Sequence, residues 1–258
     1  MRIWKVAAIL VLIALLGVAL AARSRRGAAF RDRLYTNRHC CDLSLAAALN
    51  ASIQEERGTV FPSQIGQDKW VLFGVFPGVR DGYFVDVGSA DGVIESNTKA
   101  LEEHGWKGIC VDPFPTNMQG RTCTMMKNVV SSVSGQTVRF HPSGLLGGIA
   151  GTLGKWKDVA ESAPAVEFST VTLAEILGRN RAPAFIHFMS LDIEGAELEA
   201  LKGFPFDSYK LGSLAIEHNF EEPKRSEIEQ LLKSKGYSKV RTWLQDDFYL
   251  PTPPPNAQ

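Results

Sequence analysis

Apolar and polar positions are arranged along this chain in two periods. Short apolar runs with an acid at or next to their end recur from residue 83 onward, at Tyr83–Val87, Gly108–Val111, Phe185–Leu191 and Leu214–Glu217. Continuous runs of this length read as strands covered on both faces. Between them the spacing predicts helices over Ser63–Phe73, Ser96–His104, Thr172–Leu177, Ala196–Lys202 and Lys224–Lys235. The last carries Ile228, Leu231 and Leu232 on one face. Asn128–Val133 reads as the third strand, with Thr137–Phe140 as a partner, and Tyr237–Trp243 and Phe248–Leu250 close the chain. Strands alternating with helices imply an α/β fold with a doubly wound, mostly parallel sheet. Ligands bind such sheets at the C-terminal strand ends, where the strand order reverses.

The N-terminal part follows another pattern. Val6 to Ala22 is apolar apart from Gly17 and is flanked by bases, so residues 1–22 read as a membrane anchor at the short end of spanning length. A signal peptide cut near Ala19-Leu20-Ala21 is the alternative; Arg23-Ser24-Arg25-Arg26, a stop-transfer flank, favours the anchor. Residues 23–60 form a stem, 61–250 the globular domain, and 251–258 an extended Pro-rich tail. The basic C-terminal flank argues for a cytosolic domain. The sequon Asn50-Ala51-Ser52, together with the anchor–stem–domain layout, argues for a lumenal one. The expectation is a single-pass endomembrane protein with its domain in the lumen, a secreted or cytosol-facing domain being the alternatives.

Charge narrows the partners. Of 28 basic and 28 acidic residues, eight basic and one acidic fall in residues 1–38, leaving the remainder at 20 against 27. A mildly acidic domain offers no face for a phosphate backbone, so nucleic acid is not expected as a partner. The four cysteines, Cys40, Cys41, Cys110 and Cys123, have no zinc spacing. Cys110, in an apolar strand, reads as buried packing.

The chemistry sits at the strand ends. Phe84-Val85-Asp86-Val87-Gly88-Ser89-Ala90-Asp91-Gly92 runs from a strand into a Gly-bracketed turn holding two acids. Glycine permits close backbone approach, and Asp86 or Asp91 can accept from the amino group of a methionine moiety. The turn lacks the G-x-G-x-x-G pattern of a pyrophosphate site, and an acid there would repel one, so a nicotinamide dinucleotide is disfavoured. Asp112, ending the second strand before Pro113, suits a ribose diol. Asp192 and Glu194 share a face at the end of the fourth strand by alternation, placed to contact a cofactor, orient a hydroxyl or hold a divalent ion. Glu217-His218 ends the fifth. His218 is the expected general base, with Glu217 either orienting it or joining Asp192 and Glu194 around a cation such as magnesium, whereas His187 within its apolar strand reads as a core residue. No metal ligand is assigned. The set points to S-adenosylmethionine and methyl transfer.

Together with Ser63-Gln64-Ile65-Gly66-Gln67-Asp68-Lys69-Trp70-Val71, Asn97-Thr98, Trp106-Lys107-Gly108-Ile109-Cys110-Val111-Asp112-Pro113, Leu191-Asp192-Ile193-Glu194-Gly195-Ala196-Glu197 and Ile216-Glu217-His218-Asn219, these motifs resemble the FkbM family of class I S-adenosylmethionine-dependent methyltransferases over Phe61 to Leu250. The resemblance implies a seven-stranded Rossmann-like sheet, cofactor contacts from Asp86, Gly88 and Asp112, and Asp192 at the transfer site. It also implies O-methylation of a sugar, glycan or other hydroxyl-bearing acceptor. The chain departs from many class I enzymes at Val129-Val130-Ser131-Ser132, which has no acid for adenine. The family is also similar to membrane-anchored adaptors that act in trafficking without catalysis. Acceptor specificity is expected in the Gly-rich segment Phe140–Phe168, with His141, Trp156 and Lys157.

Overall fold

A computed structural model of the chain describes residues 60–252. The anchor, the stem with Cys40, Cys41 and Asn50, and residues 253–258 lie outside the described residues. Among the described residues no helix is long and apolar enough to cross a membrane.

In chain order the strands are β1 Tyr83–Val87, β2 Lys107–Val111, β3 Thr124–Met126, β4 Val129–Val130, β5 Thr137–His141, β6 Gly148–Ile149, β7 Val166–Val171, β8 Phe185–Ile186, β9 Phe188–Leu191, β10 Lys210–Leu211, β11 Leu214–Glu217, β12 Tyr237–Trp243 and β13 Asp246–Pro251. Seven of them form one sheet in the order β12-β13-β11-β9-β1-β2-β3. Its pairs are parallel except those made by β13, which runs antiparallel to both β11 and β12. The order reverses between β1 and β9, so their C-terminal ends open a crevice.

Both faces of this sheet are covered, because its strands are apolar on both. Val85, Val87, Met189, Leu191, Leu214 and Ile216 pack with the helices Leu173–Arg179, Glu197–Lys202 and Lys224–Ser234. Phe84, Cys110, Phe188, Ala215 and Phe248 pack on the other face with Trp70, Leu101 and Trp106. The segment under that face starts later than expected: Gln67–Lys69 is α-helical and Trp70–Val75 continues as a π-helix. Three of the other helices are trimmed at their ends, as Ser96–His104 is to Lys99–Glu103, whereas the one expected at Thr172–Leu177 starts at Leu173 and runs on to Arg179.

Two expectations need correction. The third strand of the main sheet is Thr124–Met126; Val129–Val130 instead joins a separate sheet of order β4-β7-β5-β6. That sheet takes in β6 and the start of β7 from the Gly-rich segment Phe140–Phe168. The predicted strand Phe185–Leu191 is broken at His187, whose Nδ1 accepts from the Tyr83 amide at 3.1 Å and whose ring meets Phe76, Trp106 and Phe185. Cys110 packs in the core as expected, but as half of a disulfide to Cys123, with Cα atoms 5.8 Å apart. The bond ties β2 to the segment entering β3.

Candidate active site

The crevice at the ends of β1, β2, β9 and β11 is a cavity of about 650 Å³. Register explains its chemistry. Asp86 and Ser190 are partners across β1 and β9, and Ser190 is the partner of Ala215 in β11. Alternation then puts the next residues on that face, Gly88, Asp192 and Glu217, side by side across the three strand ends. Gly88 has φ +88°, and a Cβ there would sit 1.6 Å from the Asp192 carbonyl oxygen. The β1 turn thus crosses the end of β9 at a distance that only glycine allows.

The β1–β2 end is held from behind by Arg121, whose side chain is almost wholly buried. Its guanidinium donates to Glu102 at 2.6 Å, to the Gly92 carbonyl at 3.0 Å, to Ser96 Oγ at 3.1 Å and to Thr98 Oγ1 at 2.8 Å. Thr98 Oγ1 donates in turn to Asp86 Oδ2 at 2.5 Å. Burial pushes the Asp86 carboxyl up, against the pull of Arg121 and Thr98. Asp112 accepts from the Ala90 amide at 3.0 Å and the Phe114 amide at 2.7 Å, joining the two turns, and burial raises its carboxyl as well. Asp91 also lines the cavity, but its carboxylate builds the loop. It accepts from the amides of Val93 and Ile94 and from Thr116 and Asn117. Burial raises its carboxyl, but these hydrogen bonds together outweigh it and hold the carboxyl below the ordinary range.

The β9–β11 end is a carboxylate cluster. Oxygens of Asp192, Glu194 and Glu217 lie within 4.8 Å of one another, a set that can hold a cation or share protons. Asn219 Nδ2 donates to Glu217 at 2.6 Å and to Glu194 at 3.2 Å. Asp192 is raised well above the ordinary range by burial and by Glu217, with which it shares a hydrogen bond. Burial lifts Glu217 to about 7. Burial and Glu217 lift Glu194 to about 8. Glu217 and Glu194 are thus acids whose proton affinity suits work near neutral pH.

His218 is not among them. Just past the end of β11, it falls by alternation on the side of Leu214 and Ile216, opposite to Glu217, and lies outside the cavity. Its Nδ1 accepts from the Phe220 amide at 2.9 Å, its Nε2 is 3.6 Å from Asp247, and burial lowers its basicity. The expectation of a general base at His218 is therefore corrected, because alternation carries it to the helix-covered face.

The remaining wall comes from the small sheet and its connections. Phe140, Leu145, Leu146, Ile149 and Trp156 line it, with Lys155 beside Trp156. This strap is fastened by Lys224 Nζ to the Thr152 carbonyl at 2.7 Å and by the Lys155 amide to Glu221 at 3.1 Å. Of the specificity residues expected here, Trp156 reaches the cavity; His141 is buried with Nδ1 on the Ala163 carbonyl, and Lys157 does not line the cavity. Asn97, Arg121, Asn128 and Lys155 escaped the sequence reading of the site, although Asn97-Thr98 stood in a quoted motif.

A family profile described as the methyltransferase FkbM domain matches residues 86–239, more than half of the chain. The chain belongs to the FkbM methyltransferase family. The match begins at Asp86 itself and takes in Asp112, Asp192 and Glu217. No curated protein matches the sequence. Among solved structures, a candidate RNA methyltransferase from Pyrococcus horikoshii is similar over 81% of this chain and 98% of its own, at 10% identity and a TM-score of 0.38. That likeness is too loose to bear on substrate.

Proposed function

We propose that this methyltransferase uses S-adenosylmethionine to methylate a hydroxyl of a sugar, glycan or other small acceptor. The observation that carries the reading is one cavity with two chemically distinct ends. Asp86 and Asp112 stand at the end suited to the cofactor's amino-acid and ribose portions. The proton-sharing cluster of Asp192, Glu194 and Glu217 stands at the other. The residues fit the cofactor: Gly88 allows close approach, Asp112 keeps lone pairs for a diol, and Asn128 and Val129 line the wall where an adenine acid is missing. The cofactor when bound supplies an electrophilic methyl group on a sulfonium.

The protein's part is positioning and proton acceptance. An acceptor hydroxyl laid against Trp156 and Ile149 would meet the Asp192–Glu217 pair, which takes the hydroxyl proton as the oxygen is alkylated. Glu217, near 7, is available for this around neutral pH. A disulfide within the domain is in keeping with the lumenal placement expected from the sequence.

The test is incubation of the full-length chain with methyl-labelled S-adenosylmethionine and a panel of glycans and small hydroxyl acceptors. Transfer to oxygen, rising with pH through about 7 and abolished in Glu217→Gln, is the expected result. Transfer to nitrogen, or undiminished turnover in Glu217→Gln, would overturn it.

A further inference from the structure

Among the described residues, six Leu, Ile or Phe side chains are exposed, and five of them border the cavity. Ile94 and Leu145 line it while standing 58% and 45% exposed. Phe114, Phe220 and Leu244 each adjoin a lining residue, Pro113, Asn219 and Gln245 respectively. Exposed apolar side chains scattered singly over a surface need no explanation. These five are not scattered. They come from the loop after β1, the loop after β2, the turn between β5 and β6, the loop after β11 and the β12–β13 turn. What those segments share is the mouth of the cavity.

The backbone holds two of the five outward. Phe220 has φ +62° and Leu244 φ +51°, the left-handed region that is costly for bulky residues. Neither gains burial in return, since they are 63% and 57% exposed. A strained loop that presents a bare apolar side chain fits a surface that receives it. The apolar character also continues inward. Past Leu145 the wall is formed by Phe140, Leu146, Ile149 and Trp156. Gly148, next to Ile149, abuts the carboxylate cluster: a Cβ on it would stand 3.4 Å from Glu194 Cβ. An apolar wall therefore runs from the rim to the proposed site of transfer.

Charge selects the kind of surface. The loops after β1 and β11 carry Asp91, Glu95, Glu221 and Glu222 and no Lys or Arg. Anionic headgroups would be repelled there, so a neutral lipid surface is the fitting one. The sequence also supplies a tether to such a surface. Val6–Ala22 reads as an anchor, and a stem over 23–60, even fully extended, reaches no more than about 130 Å. Tethering raises the effective concentration of the domain at the bilayer, so a rim that is weak on its own suffices.

We propose that the ring of Ile94, Phe114, Leu145, Phe220 and Leu244 seats the mouth of the cavity on a neutral lipid surface, so that the cavity opens toward molecules held there. The inference rests on the methyl-transfer reading above only for what the cavity does with them. Each side chain seated in lipid adds on the order of 5-fold to the docking.

The test is photo-cross-linking of the full chain in phosphatidylcholine vesicles doped with a phosphatidylcholine that carries a diazirine on its acyl chain. After irradiation the peptides that hold Ile94, Phe114, Leu145, Phe220 and Leu244 should carry lipid. Combining Ile94→Ser, Phe220→Ser and Leu244→Ser should lower the labelling of the Phe114 and Leu145 peptides at least about 10-fold, while the peptide that holds Val6–Ala22 keeps its label. Label confined to the N-terminal peptide in the wild type would overturn the proposal, and that comparison needs no variant to fold. So would rim labelling that the triple variant leaves unchanged. A wild-type rim free of lipid in a chain that sediments as a dimer would make the ring an interface between copies, and would overturn it equally. The cross-link is read without cofactor or acceptor. A failed methyl-transfer assay therefore leaves a labelled rim standing, and an unlabelled rim sinks the docking while leaving the methyl-transfer reading in place.

Discussion

Glu194 offers a measurement in which the proposed site reports on itself without any substrate. Its carboxyl is 7% exposed and is lifted from an ordinary 4.5 to about 8, first by burial and then by Glu217 and Glu197. A raised acid holds its proton in the folded state at pH values where the unfolded chain has released it. The contribution of Glu194 to stability is therefore greatest below 4.5, falls as pH rises through the interval, and is flat above about 8. At about 1.4 kcal/mol per pH unit the whole loss is about 5 kcal/mol. Glu194→Gln removes the titration, and its amide oxygen can still accept from Asn219. The variant should lie within about 1 kcal/mol of wild type at pH 5 and be several kcal/mol more stable at pH 8.5. Partial relaxation around the charged cluster reduces the gain, so about 2 kcal/mol is the least that fits, or roughly 4–8 °C for a domain of this size. Thermal melts of both proteins at the two pH values are the assay. A Glu194→Gln melting curve that shifts with pH in parallel with wild type would refute the claim that the cluster stores this electrostatic cost.

Asp112→Ala should weaken S-adenosylhomocysteine at least about 10-fold by calorimetry, since it removes a carboxylate that lines the cavity and frees the Ala90 and Phe114 amides it holds; unchanged affinity would remove Asp112 from the proposed site. His218→Gln should keep turnover within a few-fold of wild type and lose about 1–3 kcal/mol of stability, because the ring is buried away from the cavity and accepts the Phe220 amide. A loss of turnover of 100-fold or more in a folded variant would restore His218 as the base. Replacing Cys110 and Cys123 together by Ala should cost about 3 kcal/mol, as expected for a short closed loop. Wild-type chemical stability in the double variant would show that the bond contributes little.

The sequence made the main sheet legible because its strands are buried on both faces, and a continuous apolar run such as Ile109–Val111 or Phe188–Leu191 is hard to place elsewhere. The acids ending those runs were legible for the same reason: an ionisable residue just past an apolar strand in a doubly wound sheet falls at the crevice. What stayed hidden depended on partners remote in the chain. Strand β7, exposed over much of its length, gains its identity from pairing with β5 and β4, and nothing local marks it. Arg121 reads as an ordinary surface base until the loops from Gly92 and Thr98 close around it. The Cys110–Cys123 pair has no motif to announce it; it forms because β2 and β3 run side by side.

The assignment of His218 shows where residue chemistry and strand geometry competed. Imidazole titrates near neutral pH, so a histidine at a strand end attracts the role of base. The same alternation that groups Asp192 with Glu194 separates Glu217 from His218, and it decides the matter before any pKa is considered. Glu217 falls on the face of Asp86, Ser190 and Asp192, and His218 on the face packed by the helix Lys224–Ser234. Burial then gives the carboxylate the proton affinity that the imidazole was expected to supply. In the proposed reaction the base would in this way be produced by position, from a residue type that would be too acidic in water.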